Sequence, residues 1–208
     1  AIGDKDICFC CHHRGRSRDK VVYVTPQYSL EALLFTGFAG HTMLLRRDFA
    51  QQHEHWAGYI HYDWSLAIHA QLGQGIVRID EPLNWHRSHA ASAIAQENLA
   101  HGIDNSTPQR LAPYLHGYRN YRQLQSKPNW QQLYTYIYNA STHCQPLAHR
   151  MSGLMLQRGP VPLLKLCLLC ARHRKSIYYN QNAKGLMGWI RSFFYPFIFT
   201  YHNVQYDL

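Results

Sequence analysis

Near Ala90 the chain changes texture, and that change limits its fold more than any other feature. Before it, short apolar runs alternate with breaks marked by glycine and proline; after it come longer helical patterns of Gln, Tyr and Leu, interrupted at Pro108, Pro113, Pro128, Pro146, Pro160 and Pro162. Proline inside a helix removes a hydrogen bond and clashes with the preceding turn, so each of these residues marks a break. The expectation is an α/β chain: residues 1–95 supply a few strands and a helix, and residues 96–208 are mainly helical. A length of 208 residues suits one domain, or one domain with a helical appendix, and is too short for two independent cores.

The first half resolves into candidate elements. Asp6 to Cys11 reads as a short buried strand, His13 to Lys20 as a polar basic turn, and Val21 to Val24 as a second strand, together a hairpin. Ser29 is placed to cap a helix through Glu31 to Leu34. Gly37 and Gly40 then form a loop that feeds a strand or short helix at Thr42 to Leu45. Tyr62 to Leu72 carries Leu66, Ala67 and Ala70 at helical spacing, and Gly73 and Gly75 end it. Ile76 to Ile79 is a strand, after which Asp80, Glu81 and Pro82 turn the chain.

Charge is unevenly distributed. From Arg150 onward eight basic residues face only Asp207, so about +7 of the formal +9 sits in the last 59 residues. Such a tail suits an anionic surface, whether phospholipid headgroups, a lipid pyrophosphate or nucleic acid. Leu163 to Ala171 and Phe193 to Tyr201 are too short to span a bilayer, but aromatic rings and flanking basic side chains suit an interface. Nucleic-acid binding rests on charge and tyrosines alone, without a recognition motif. No leader of the secretory kind opens the chain, which points to the cytoplasm or to the inner face of the membrane. Cys8, Cys10 and Cys11, followed by His12 and His13, raise the question of zinc, but in a strand Cys8 and Cys10 share a face that Cys11 does not. Cys167 and Cys170 sit in an apolar run, where free thiols pack as small hydrophobes. A disulfide framework is not expected.

Three blocks in fixed order carry a resemblance: Phe38 to Asp48 (FAGHTMLLRRD), Tyr62 to Gly75 (YDWSLAIHAQLGQG) and Ile76 to His89 (IVRIDEPLNWHRSH). Together they are similar to the second half of the catalytic domain in bacterial family 2 glycosyltransferases of the rhamnosyltransferase-like kind. The likeness covers residues 6 to 95, with a weaker one at Ser176 to Asp207. It implies a partial glycosyltransferase A fold with a helical tail. The implied activity is transfer of a sugar from a nucleotide-sugar donor to a glycan or lipid-linked acceptor in surface polysaccharide synthesis.

The resemblance also implies roles. Asp63 stands at the family's general base, which takes the acceptor hydroxyl proton; read from position alone, it caps a helix. Arg87 and His89 fall where the family has an Arg and a His, so Arg87 is expected to grip the diphosphate, and His89 to contact phosphate or a metal. His86 stands where Tyr is usual and Ser88 where Gln is common. Gly40, His41, Thr42 and Trp64 fall on the acceptor side, and Asp63 and Arg87 are expected to converge on one cleft. Asp80 and Glu81 read as structural.

The family's nucleotide-binding unit and its Asp-x-Asp, which holds a divalent metal (Mg or Mn), have no counterpart. Asp4-Lys5-Asp6 has those letters but precedes the wrong strand. The expectation is therefore a chain with little or no transferase activity of its own. The face left by the missing half should be apolar and could drive self-association. The competing expectation is a non-catalytic relative that keeps the acceptor side as a binding or scaffold protein.

Overall fold

The computed structural model describes residues 2–17, 20–24, 27–37, 40–53, 60, 62–87, 89, 130–178 and 184–200. The helical expectation for residues 90–129, and the expectations that fall on Ser88 and on residues 201–208, lie outside them. Within the described residues the chain is α/β, a small mixed sheet followed by helices.

The sheet is organised by β1 (Ile7–Ser17). Along one edge it pairs antiparallel first with β3 (Met43–Leu45) through Ile7 to Phe9, then with β2 (Lys20–Val24) through His12 to Ser17. Along the other edge it pairs in parallel with β4 (Ile76–Arg87). The strands thus lie three abreast at Ile7 to Phe9 and again at His12 to Gly15. Burial of Ile7, Cys8, Phe9, Cys10 and Cys11 explains the unbroken apolar run, because a central strand covered on both faces has no polar side to alternate with.

Two expectations change here. The segment His13 to Lys20 is not one turn, since β1 continues through Ser17 and Lys20 already begins β2. Neighbours on both edges supply ladder partners that a polar composition does not advertise. Nor do Asp80 to Pro82 reverse the chain: β4 runs on to Arg87, and the register jumps from Cys10 opposite Ile79 to Cys11 opposite Pro82. The extra residues form a bulge, a place in a sheet that tolerates proline. The hydroxyl of Tyr23 on β2 donates to the Asp80 carbonyl, reaching across from the opposite edge of the sheet.

Ser29 accepts the Ala32 N–H at 3.2 Å, and the turn it caps is a 3-10 helix, Ala32–Leu34. The short helix α1 (Arg47–Gln52) follows β3, and α2 spans Tyr62–Leu72, with both ends where the spacing and the glycines put them. Asp6 ties these pieces together. Its buried carboxylate takes Arg46 at 3.1 Å and the Gln74 N–H at 2.8 Å, joining the end of β3 to the turn after α2.

The second half comprises α3 (Trp130–Ser141), α4 (Pro146–Gln157), α5 (Pro160–Arg172), the single turn α6 (Arg174–Ile177) and α7 (Gly185–Phe199). Pro146 and Pro160 sit in first turns, where the missing N–H has no intrahelical acceptor to lose. Consecutive helices α3, α4 and α5 pack in series, and α7 returns against α5. Trp130 joins the two halves: its ring lies 5.8 Å from Trp64 on α2 and 5.2 Å from Phe199 on α7. One buried cluster therefore runs from the sheet into the helices.

Candidate functional site

The three sequence blocks meet at the start of α2. Asp63 lies in its first turn, half-buried, and its two carboxylate oxygens are used separately: Oδ1 accepts the Trp64 N–H at 2.8 Å and Oδ2 accepts the Gly40 N–H at 3.1 Å. Negative charge is favoured at a helix N-terminus, and each oxygen keeps a second lone pair. The loop must come close for this bond to form. A Cβ on Gly37 would sit 2.7 Å from the Cβ of buried Trp64, so glycine is required there, whereas one on Gly40 would sit 2.5 Å from the hydroxyl of exposed Tyr62 and would push that ring aside.

His41 follows Gly40 and carries the contact to the sheet. Its ring stacks on His86 of β4 with centroids 4.8 Å apart and planes 22° apart, and meets His12 of β1 edge-on at 5.5 Å. Asn84 Nδ2 donates to the His41 carbonyl at 3.0 Å. His12 pairs with Asn84, and Arg14 with His86, across the parallel ladder. Alternation along the strands places these four side chains on one face of the sheet.

All three imidazoles are held neutral near pH 7. Burial lowers the His12 pKa to about 4, helped by the charges that His41, His86, Arg14 and His13 would bring beside it. Burial also lowers His41, with Asp63 pulling the other way, and lowers His86, with His41, Arg14 and His89 adding to the effect. His12 Nδ1 is buried without a hydrogen-bond partner.

No family model, curated protein or solved structure matches this chain.

The geometry of the site separates residues expected together. Arg87 follows His86 on β4 and is exposed, so strand alternation directs it to the face opposite His86, His41 and Asp63. Among the described residues the contacts at Asp63 lead to Gly40, to His41 beside it and, through the His41 ring, to His86, and none of them includes Arg87. His89 is exposed just beyond β4, near enough to add to the lowering of the His86 pKa. Trp64 was expected on the acceptor side, but it is 1% exposed and its indole N–H donates to the Leu33 carbonyl at 2.8 Å. It is a core residue, and its neighbour Tyr62 is the exposed aromatic at this end of α2. Thr42 is buried, whereas His41 keeps an exposed edge.

A divalent metal does not fit this cluster. Rings stacked face to face direct their in-plane nitrogen lone pairs side by side, not at a common point. Among the described residues no group of three His, Cys, Asp or Glu side chains is arranged to hold a metal. Asp6 is committed to Arg46 and Gln74 and serves the fold, while the Asp4 side chain is exposed. All six cysteines are free.

Asn84 escaped the sequence reading, His12 registered only beside the cysteines when zinc was weighed, and His86 only as a departure from Tyr. The usable signal was alternation: His12 and Arg14 on β1, and Asn84 and His86 on β4, each two residues apart. It needed the pairing of β1 with β4 to become visible.

Proposed function

We propose that this chain forms the acceptor side of a sugar-transfer site of the family 2 glycosyltransferase kind, on a partial glycosyltransferase A fold. A carboxylate takes a proton from a glycan or lipid-linked acceptor while the donor is a nucleotide sugar. The observation that carries this reading is the meeting of three separated sequence blocks at Asp63, through the Gly40 N–H bond and the His41–His86 stack.

The chemistry follows from what each group can do. The N–H bonds from Gly40 and Trp64 fix the carboxylate plane and leave lone pairs for an incoming hydroxyl. As the hydroxyl attacks the anomeric carbon of the donor in line, the bond from that carbon to the diphosphate breaks, the nucleoside diphosphate leaves and Asp63 accepts the hydroxyl proton; a positioned base of this type contributes about two to four powers of ten. Neutral His41, anchored through its carbonyl by Asn84, offers a ring nitrogen to orient a neighbouring sugar hydroxyl. Arg87, on the other face, is placed outside this proton-transfer step.

Saccharide binding tests the acceptor assignment. A panel of glycan and lipid-linked acceptors is titrated while the imidazole resonances of His41 and His86 are followed by NMR. Saturable shifts in both rings, weakened at least tenfold in His41→Ala, support the site; a panel that leaves them unmoved overturns it. Transfer from radiolabelled nucleotide sugars then tests the base. Turnover abolished in Asp63→Asn, with binding retained, assigns proton removal to Asp63. Binding without turnover under every donor favours the non-catalytic reading, to which the placement of Arg87 away from Asp63 lends weight.

A further inference from the structure

Helix α7 is turned inside out for a protein in water. The residues it buries are Gly188, Ser192, Pro196 and Phe199, mostly small, whereas Leu186 is 74%, Met187 58%, Phe194 51% and Phe197 46% exposed. An amphipathic helix on a globular protein shows the reverse, with its large apolar side chains inward. The small residues at four-residue spacing let α7 lie close against α5, and Ser192 returns its hydroxyl to the Gly188 carbonyl at 2.6 Å. α5 adds to the same kind of surface, with Leu164 52% and Leu168 50% exposed.

Basic side chains border these apolar rows. Lys165 and Arg172 are exposed on α5, Arg191 on α7 and Lys184 at its start, and residues 150–206 contain no Asp or Glu. With 15 residues, α7 is roughly 22 Å long at about 1.5 Å per residue, short of the ~30 Å hydrocarbon core. No helix among the described residues is long and apolar enough to cross a membrane.

We infer that the α5–α7 face docks on an anionic phospholipid bilayer, with α7 lying in the plane of the interface. Large apolar side chains enter the acyl boundary while lysine and arginine reach back to phosphate headgroups. A second copy is the poorer occupant, because an isologous contact would bring Arg172 and Arg191 against their own equivalents with no acid to separate them. Nucleic acid would satisfy the charge and leave Leu186, Met187 and Phe194 in water. The inference does not depend on the sugar-transfer reading, and its test contains no sugar.

The test is flotation of the full chain with vesicles of phosphatidylcholine alone, or with about one third phosphatidylglycerol, at low and physiological salt. Circular dichroism first confirms that each variant is folded. Expected results are at least tenfold stronger partition to the anionic vesicles, and quenching of Trp189, which is 39% exposed, by brominated acyl chains. Leu186→Ser with Phe194→Ser should cut partition at least tenfold, and Arg172→Glu with Arg191→Glu should remove the anionic preference. Equal binding to neutral and anionic vesicles, no flotation at low salt, or a double serine variant that floats like the parent would overturn the inference. So would a lipid-free dimer, or RNA retention, that the serine variants abolish.

Discussion

Acid should unfold this protein through His12, and the size of the effect can be worked from its surroundings. The imidazole is buried in the central strand beside His41 and His86, and its pKa falls from 6.5 to about 4. In the unfolded chain it protonates near 6.5; in the folded chain it resists until about 4. Between those values the unfolded state holds more protons, so stability falls as pH falls. Each tenfold difference in proton affinity is worth about 1.4 kcal/mol, which makes the loss about 3 kcal/mol by pH 4. That is a large share of the roughly 5–15 kcal/mol available to a domain. His12→Phe removes the titration and keeps a ring in place, and Nδ1 has no partner to lose. It should therefore stay within about 1.5 kcal/mol of the parent at pH 8. Urea unfolding followed by circular dichroism at pH 8, 6, 5 and 4.5 makes the comparison. The parent's stability should fall away from the variant's below pH 6.5, with a shallower slope left in the variant from His41, His69 and His86, whose pKa values are also lowered. Parallel curves for the two proteins would refute the assignment.

Arg46→Ala leaves the buried Asp6 carboxylate without its cation and should destabilise by about 3–5 kcal/mol, measured by denaturant titration at pH 7. Asp6→Asn added to Arg46→Ala should recover part of that loss by removing the unpaired buried charge, which a purely packing role for Arg46 would not allow. Gly37→Ala forces a methyl group onto Trp64 and should cost about 1–3 kcal/mol, visible as a lowered melting temperature with altered near-ultraviolet dichroism from the tryptophans.

Local order left clear marks in the sequence, and contacts between distant segments did not. The bounds of α2 follow from helical spacing and the Gly73–Gly75 stop, and the breaks expected at Pro146 and Pro160 fall at the starts of α4 and α5, because these signals act within a few residues; Pro162, also expected as a break, lies instead in the first turn of α5, where proline is tolerated. The hairpin of β1 and β2 was legible for the same reason. The continuation of β1 through Ser17 and the bulge at Asp80 to Pro82 were not, since both depend on which strand lies alongside. Of the candidate site, the sequence named Asp63, Gly40 and His41. The sheet decided that His86 and His12 join them and that Trp64 belongs to the core. For α7, composition indicated an aromatic, basic segment suited to an interface, but only packing against α5 chose the small residues for the inside and left the large apolar ones outside. A side chain's chemistry is written in the sequence; the face it presents is set by neighbours brought in from elsewhere in the chain.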